Sequence, residues 1–293
     1  MTDTRALAAL FAGAAAIASS ALWVKVSEAG PVSTGFWRVF LALPVFWIWA
    51  AVDAKRAPHR LTAAESKLIV LAGFCFAGDL AVWHWSILLT TVANATLFAN
   101  CAPIFVTLTA WLVLRERPGG KFLAGLAAAI AGMFLLLQGS FHAAGSALLG
   151  DLLALVTAVF YAGYQMAVSR VRAAVSTARL MAISASVTAI ILLPIALASG
   201  ERFVPETPTG WGLLVGLAFV SQVAGQSFIA YALAHLPGTF ASVALLVQAV
   251  MAAALAWVLL GEQLGVLAIA GGVLVLIGIR IAHTAQRPAR EVV

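Results

Sequence analysis

Ala110-Trp111-Leu112-Val113-Leu114-Arg115-Glu116 returns 146 positions later as Ala256-Trp257-Val258-Leu259-Leu260-Gly261-Glu262. Further on, Gly119, Ala124, Gly125 and Gly132 align with Gly265, Ala270, Gly271 and Gly278, so eight of 23 aligned positions are identical. An alanine-rich composition does not easily produce that agreement, and it marks the chain as a duplication.

Both copies lie in apolar sequence. The 293 residues are 63% hydrophobic and 10% charged, with a mean hydropathy of +1.04, against roughly 45–50% apolar and about 25% charged in a typical soluble domain. The medium such a chain requires is a lipid bilayer. Apolar runs of about 18 to 24 residues give spans near 6–26, 32–52, 67–89, 93–114, 121–139, 148–169, 179–199, 210–234, 238–260 and 264–282. Short connectors with breakers separate them, among them Gly30-Pro31, Ala57-Pro58-His59, Pro118-Gly119-Gly120 and Pro237-Gly238. Backbone groups in lipid must pair within helices or a closed barrel, and runs this long without polar alternation argue against a barrel. The expected fold is all-α, with ten transmembrane helices in two five-helix halves around a central cavity. The halves are expected at 1–140 and 147–282, followed by a tail at 283–293.

Five spans separate the two copies. The number is odd, so the second copy enters the membrane upside down, and inverted repeats of this kind are a transporter signature. Charge supports the count, because Lys and Arg accumulate on the cytoplasmic side. With a cytoplasmic N-terminus, all but three of the 17 basic residues fall inside; Lys25 and Arg202 are outside and Arg38 lies within the second span. Both termini are therefore expected in the cytoplasm, in a bacterial inner membrane. The first apolar stretch, Ala6 to Val26, is too long for a signal-peptide core and is expected to persist as a span.

Several classes of function are disfavoured. No polar block reaches the roughly 50 residues that a nucleotide-binding or catalytic domain needs, which counts against ATP-driven transport within this chain. The net charge of +6 is dispersed between apolar runs rather than gathered in a nucleic-acid-binding patch. Cys75 and Cys101 lie in apolar runs and read as small hydrophobes. There is no GxGxxG, Walker A, HExxH or Cys/His cluster, so no enzyme activity, cofactor or metal is expected. No obligatory protein partner is evident.

The run from Leu88 to Glu116, with Ala95, Pro103, Ala110-Trp111-Leu112 and Arg115-Glu116, and its second copy ending Gly261-Glu262, resembles the paired signature of the drug/metabolite transporter superfamily. The ten-helix EamA-type exporters are the most similar group. Phe36-Trp37-Arg38 and Gly150-Asp151-Leu152-Leu153-Ala154-Leu155 resemble that family's other recurrent stretches, and the resemblance covers nearly the whole chain. It implies a ten-helix basket whose cavity is lined mainly by spans 1, 3, 4, 6, 8 and 9, exporting small metabolites, often amino acids. One departure stands out: Ala249 replaces Pro103 in the second copy, beside polar Gln248, which removes the covalent reason for a matching kink in span nine.

Asp79 is the only acidic residue expected near the membrane centre. A carboxylate there costs at least about 2.5 kcal/mol, so it must face protein or a wet cavity. It reads as a partner for a substrate amine, as a proton carrier, or as a structural anchor. Trp83 and Ser86 share its face. His84 is rotated from it by about 140°, at 100° per residue, so a direct Asp–His pair is not expected. His84 either titrates near neutral pH or packs between helices. The repeat aligns Gly225 with Asp79, and Gln222 and Gln226 near it either line the cavity or bond helices together. In span four, Asn100 precedes Pro103 by one turn, and the missing proline N–H frees the Ala99 carbonyl. These groups make a polar corner of a pocket or a packed kink, and Gln248 is the matching region of span nine.

Tyr161, Tyr164 and Gln165 fall on one face of span six. With Trp83 and a few amides they would suit an apolar or aromatic side chain on a zwitterionic head. Arg38, about seven residues inside span two, either snorkels outward or binds backbone carbonyls, and it is assigned with Pro103 to a structural or gating role. Glu116 and Glu262 occupy mirrored helix ends, where each holds the following helix start through its dipole.

The leading expectation is a secondary transporter exporting amino acids, aromatic ones included, or related metabolites by alternating access, with protons as the candidate coupling ion. The alternatives are efflux of cationic drugs, with Asp79 as counter-charge, and a membrane-embedded enzyme or lipid-binding protein without transport.

Overall fold

The computed structural model describes residues 4–90, 92–113, 115–137, 147–260 and 265–285. They form ten helices long and apolar enough to span a bilayer: α1 (Thr4–Val24), α2 (Pro31–Arg56), α3 (Ala63–Leu89), α4 (Ala95–Leu112), α5 (Gly120–Leu137), α6 (Leu148–Val171), α7 (Thr177–Ala198), α8 (Pro208–His235), α9 (Gly238–Leu259) and α10 (Val266–Thr284). Among the described residues there is no strand. Large apolar side chains such as Ile48, Leu112, Ile190, Val258 and Val266 are exposed on the outside, a surface compatible with lipid and not with water. Glu262 and the tail beyond residue 285 lie outside the described residues, as does the boundary between the halves at 138–146.

Helix pairing repeats across the duplication. The contacts α3–α6 and α4–α6 have counterparts in α8–α1 and α9–α1, while α2–α7, α4–α9 and α5–α10 join each helix to its own image. The α5–α10 contact is the most extensive and is built on glycine. A Cβ on Gly125 would lie 2.8 Å from Gly278 O, and one on Gly132 would lie 2.7 Å from Gly271 O. Gly271 and Gly278 are the repeat images of Gly125 and Gly132, so each glycine meets the image of the other. Only helices without side chains at these points can approach so closely. In α8, Gly216 likewise makes room for the Trp23 ring, whereas Gly212 faces open space.

The helices carry several irregularities. α4 turns at Asn100 and Cys101, and α9 turns at Leu245 and Leu246. The kink expected to lack a cause in α9 is therefore present. Both breaks are tightened by i to i−3 bonds: Cys101 N–H to Phe98 O and Ile104 N–H to Cys101 O, both 3.0 Å, and Leu246 N–H to Val243 O, 3.1 Å. Pro103 sits in the first turn of the segment Ala102–Leu112, where its missing N–H forfeits no helical bond. It permits the break without being its sole cause. In α8 the stretch Ala218–Gln226 is a π-helix, an arrangement that recurs at functional sites.

At the side remote from the chain ends, the α1–α2 and α7–α8 connectors are clasped together. Glu28 Oε2 accepts from Glu206 N–H (2.9 Å) and Thr207 N–H (3.1 Å), and the Thr207 hydroxyl donates to Glu28 Oε1. Glu201 Oε2 accepts from Val32 N–H at 2.9 Å, and Gly30 N–H donates to Arg202 O at 2.9 Å. The Thr207 bonds hold the Glu28 carboxyl below the usual range, because they favour its charged form. At the other end of α4, Arg115 takes φ 58°, a conformation glycine adopts without steric cost, and Gly261 stands at the equivalent place in the second copy. Glu116 is exposed; its N–H donates to Ala110 O at 3.0 Å, and its side chain makes no hydrogen bond to the start of α5 among the described residues.

Candidate functional site

A cavity of about 180 Å³ lies between the two halves. Its walls come from the later parts of α1, α3 and α9, the earlier parts of α2 and α4 and the middle of α6 and α8, so it extends from the centre of the bundle into the half remote from the chain ends. Asp79, Trp83 and His84 enter from α3, Asn100 and Ala99 from α4, Tyr161 from α6, Gln226 from α8, and Gln248 with Ala249 from α9. The break in α4 thus opens onto the cavity through Asn100, and Gln248 and Ala249, just after the break in α9, line it as well, the arrangement that discontinuous helices give to a site between inverted repeats.

α2 contributes as well, through Thr34, Gly35 and Arg38. Arg38 does not snorkel outward. It is 7% exposed, and its Nε donates to Gln222 Oε1 at 3.1 Å. Its guanidinium carbon lies 6.0 Å from the Phe76 ring centroid, within cation–π range. Asp79 is close enough to Arg38 for the two charges to interact. They do not form an ion pair: among the described residues the ion pairs are His59–Glu65 and Arg202–Glu206. A carboxyl group and a guanidinium therefore line the same cavity without pairing directly with each other.

The His84 Nδ1–H donates to Leu80 O at 2.5 Å, which leaves Nε2 as an acceptor. Gly35 makes room for this ring, since a Cβ there would lie 3.0 Å from His84 Cε1, and Trp83 stacks edge-on at 5.1 Å. Asn100 Nδ2 donates to Thr96 O at 2.8 Å, one turn back. The cavity floor is polar and aromatic. Gln248 Nε2 donates to the Tyr161 hydroxyl at 3.4 Å, the Tyr164 hydroxyl donates to Gln226 Oε1 at 3.1 Å, and the two tyrosine rings stack with centroids 6.2 Å apart.

Of the residues singled out from sequence, Asp79, Trp83, His84, Asn100, Tyr161, Gln226 and Gln248 converge on this cavity. Tyr164, Gln165 and Gln222 are buried behind its wall. Ser86, on the face of Asp79, instead joins helices by donating to Gly150 O at 2.8 Å. Cys75 and Cys101 are buried and free. What sequence reasoning missed is the α2 wall. Thr34 and Arg38 are four residues apart, and that spacing in an apolar span could have placed both on one inward face.

The profile of the EamA-like transporter family matches residues 5–138 and again 148–284. The chain is 25% identical over 268 residues to the pseudopaline exporter CntI of Pseudomonas aeruginosa, covering 92% of this chain and 93% of that protein. It is 26% identical over 284 residues to an uncharacterized transporter of Archaeoglobus fulgidus, with 92% and 94% covered. A crystal structure of a protein 19% identical in sequence superposes with a TM-score of 0.79, over 97% of this chain and 99% of that one. That likeness concerns the fold.

Proposed function

Because the chain belongs to the EamA-like transporter family, we propose that it is a secondary transporter exporting amino acids, aromatic ones included, or related zwitterionic metabolites by alternating access. As an EamA-type transporter it is a multi-pass membrane protein acting on a small molecule. The observation that carries the finer reading is that Arg38 and Asp79, a basic and an acidic side chain not joined to each other, line one cavity. Holding either charge within a membrane is expensive, about 2.5–3.5 kcal/mol on insertion scales, and both together suit a cargo carrying a carboxylate and an ammonium. Trp83, Tyr161 and Phe76 offer apolar surface for its side chain. A cavity of about 180 Å³ falls below the roughly 300–1,000 Å³ of drug-sized sites, and Arg38 repels a purely cationic cargo; both points weigh against efflux of cationic drugs.

Export follows the curated Pseudomonas aeruginosa relative, and the basic residues favour a bacterial inner membrane with both termini cytoplasmic. Protons are the proposed coupling ion, with Asp79 as their carrier. The test is flux of a labelled amino-acid panel in proteoliposomes, with and without a pH gradient. Wild-type protein is expected to move phenylalanine, Asp79→Asn to lose at least tenfold of that flux together with its response to the gradient, and Arg38→Gln to lose selectivity for the carboxylate. Folded protein that moves no zwitterion, or whose flux neither substitution alters, overturns the reading.

A further inference from the structure

Beneath the cavity floor lies a second polar group that the cavity does not use. Both amide atoms of Gln165, the hydroxyl of Thr107 and the hydroxyl of Ser242 are buried with no hydrogen-bond partner among the described residues. The three side chains are 2%, 5% and 1% exposed. They belong to three segments packed on one another: Gln165 to α6, Thr107 to the second part of α4 (Ala102–Leu112), and Ser242 to the first part of α9 (Gly238–Ala244).

Register brings them to one level. α9 runs against α6: Gly238 sits at Ser169 and Gln248 bonds Tyr161, so Ser242 falls beside the turn that holds Gln165. α4 runs with α6: Cys101, Ala102 and Val106 pack with Ala158 and Ala162, which carries Thr107 to the same turn. That level is on the chain-end side of Tyr161 and Tyr164, away from the cavity lining.

Their lack of partners is not forced by helical geometry. Thr109 donates to Phe105 O, Thr157 to Leu153 O and Ser184 to Leu180 O, each one turn back, the usual arrangement for a hydroxyl in an apolar helix. Thr107 and Ser242 do not. A buried amide with neither donor nor acceptor satisfied is a standing cost to the fold, and a leucine would fill the same space without it.

We propose that Gln165, Thr107 and Ser242 form a second binding station for the same small zwitterionic cargo, occupied when the bundle opens toward the chain ends. The inference rests on the transport reading above. An amide supplies both a donor for a carboxylate and an acceptor for an ammonium, while the station carries no charge. It holds the cargo more weakly than Arg38 and Asp79 do, so that cargo entering from the chain-end side passes on to the cavity.

The test uses Gln165→Leu and the double variant Thr107→Val/Ser242→Ala, in full-length protein reconstituted in liposomes, with labelled phenylalanine as probe. Both variants are expected to melt at or above the wild-type temperature and to bind phenylalanine with unchanged affinity at the cavity. Their maximal efflux rate is expected to fall at least tenfold. Wild-type efflux rates in both variants overturn the station while leaving the transport reading intact. A lowered melting temperature in both overturns it too, by showing that the groups serve the fold. If wild-type protein neither binds nor moves any amino acid, the transport reading fails first and the station with it. Should Gln165→Leu not fold, the double variant decides alone.

Discussion

Gln222 holds Arg38 by its Nε, at 3.1 Å, and so orients a guanidinium that enters the cavity from a different helix. The bond fixes one edge of the planar group and leaves its fork of terminal N–H donors directed away from Gln222. Gln222 lies in the π-helical part of α8. The wider turn there is what the charge on α2 rests against.

Removing that support should be felt through Arg38 rather than independently of it. Gln222→Leu is expected to lower kcat/KM for an amino-acid substrate about tenfold, because a hydrogen bond to a charged group is worth about 1.5–3 kcal/mol. In an Arg38→Gln background the same change should cost little. A double-mutant cycle on transport rates measures the coupling, and strict additivity of the two effects refutes it.

The α5–α10 seam has no spare volume. Gly125→Val or Gly278→Val should destabilise the protein by about 1–3 kcal/mol or more, the usual penalty for overfilling a packed contact. Gly119→Ala should be silent, since nothing lies within 4 Å of a Cβ there. Thermal unfolding in detergent distinguishes the two, and equal melting temperatures for all three variants would contradict the seam.

The clasp at Glu28 should respond to acid. Its carboxyl is held below the ordinary range by the Thr207 hydroxyl and N–H, so the stability it adds is complete above the unfolded-state value. That contribution fades as pH falls through the depressed one. Hydrogen exchange at the Thr207 and Glu206 amides, taken relative to the intrinsic rate at each pH, is expected to lose its protection on acidification in the wild type. In Glu28→Gln it should be fast already at neutral pH; matching pH profiles for the two proteins would rule the clasp out.

Pro103→Ala should leave the break in α4 in place. α9 breaks at the corresponding point with Ala249, and Pro103 occupies a first-turn position where an N–H has no helical partner. Transport is expected to stay within about threefold of wild type, the equivalent of roughly 0.7 kcal/mol. A tenfold loss in a flux assay would restore proline as the cause of the break.

Hydropathy and the duplication are long-range regularities, and they made the ten spans and their inversion legible before any coordinate was known. Asp79 stood out because a lone carboxylate in an apolar run has few explanations. Arg38 was harder to assign. It lies near a helix end, where an arginine can reach water, and only the position of Gln222, 184 residues away, decides that it turns inward. Gln165 shares a helical face with Tyr161, yet one further turn toward the chain ends puts it beneath the cavity floor. Neither the π-helix in α8 nor the turn at Leu245 and Leu246 has a signature residue in the sequence.

The crossed glycine contacts of α5 and α10 are isologous: one patch, present on each half, is complementary to itself. Covalent fusion is therefore not what defines this junction. Two separately synthesised halves would carry the same mating surface, and a change at either copy alters only one of its two equivalent contacts.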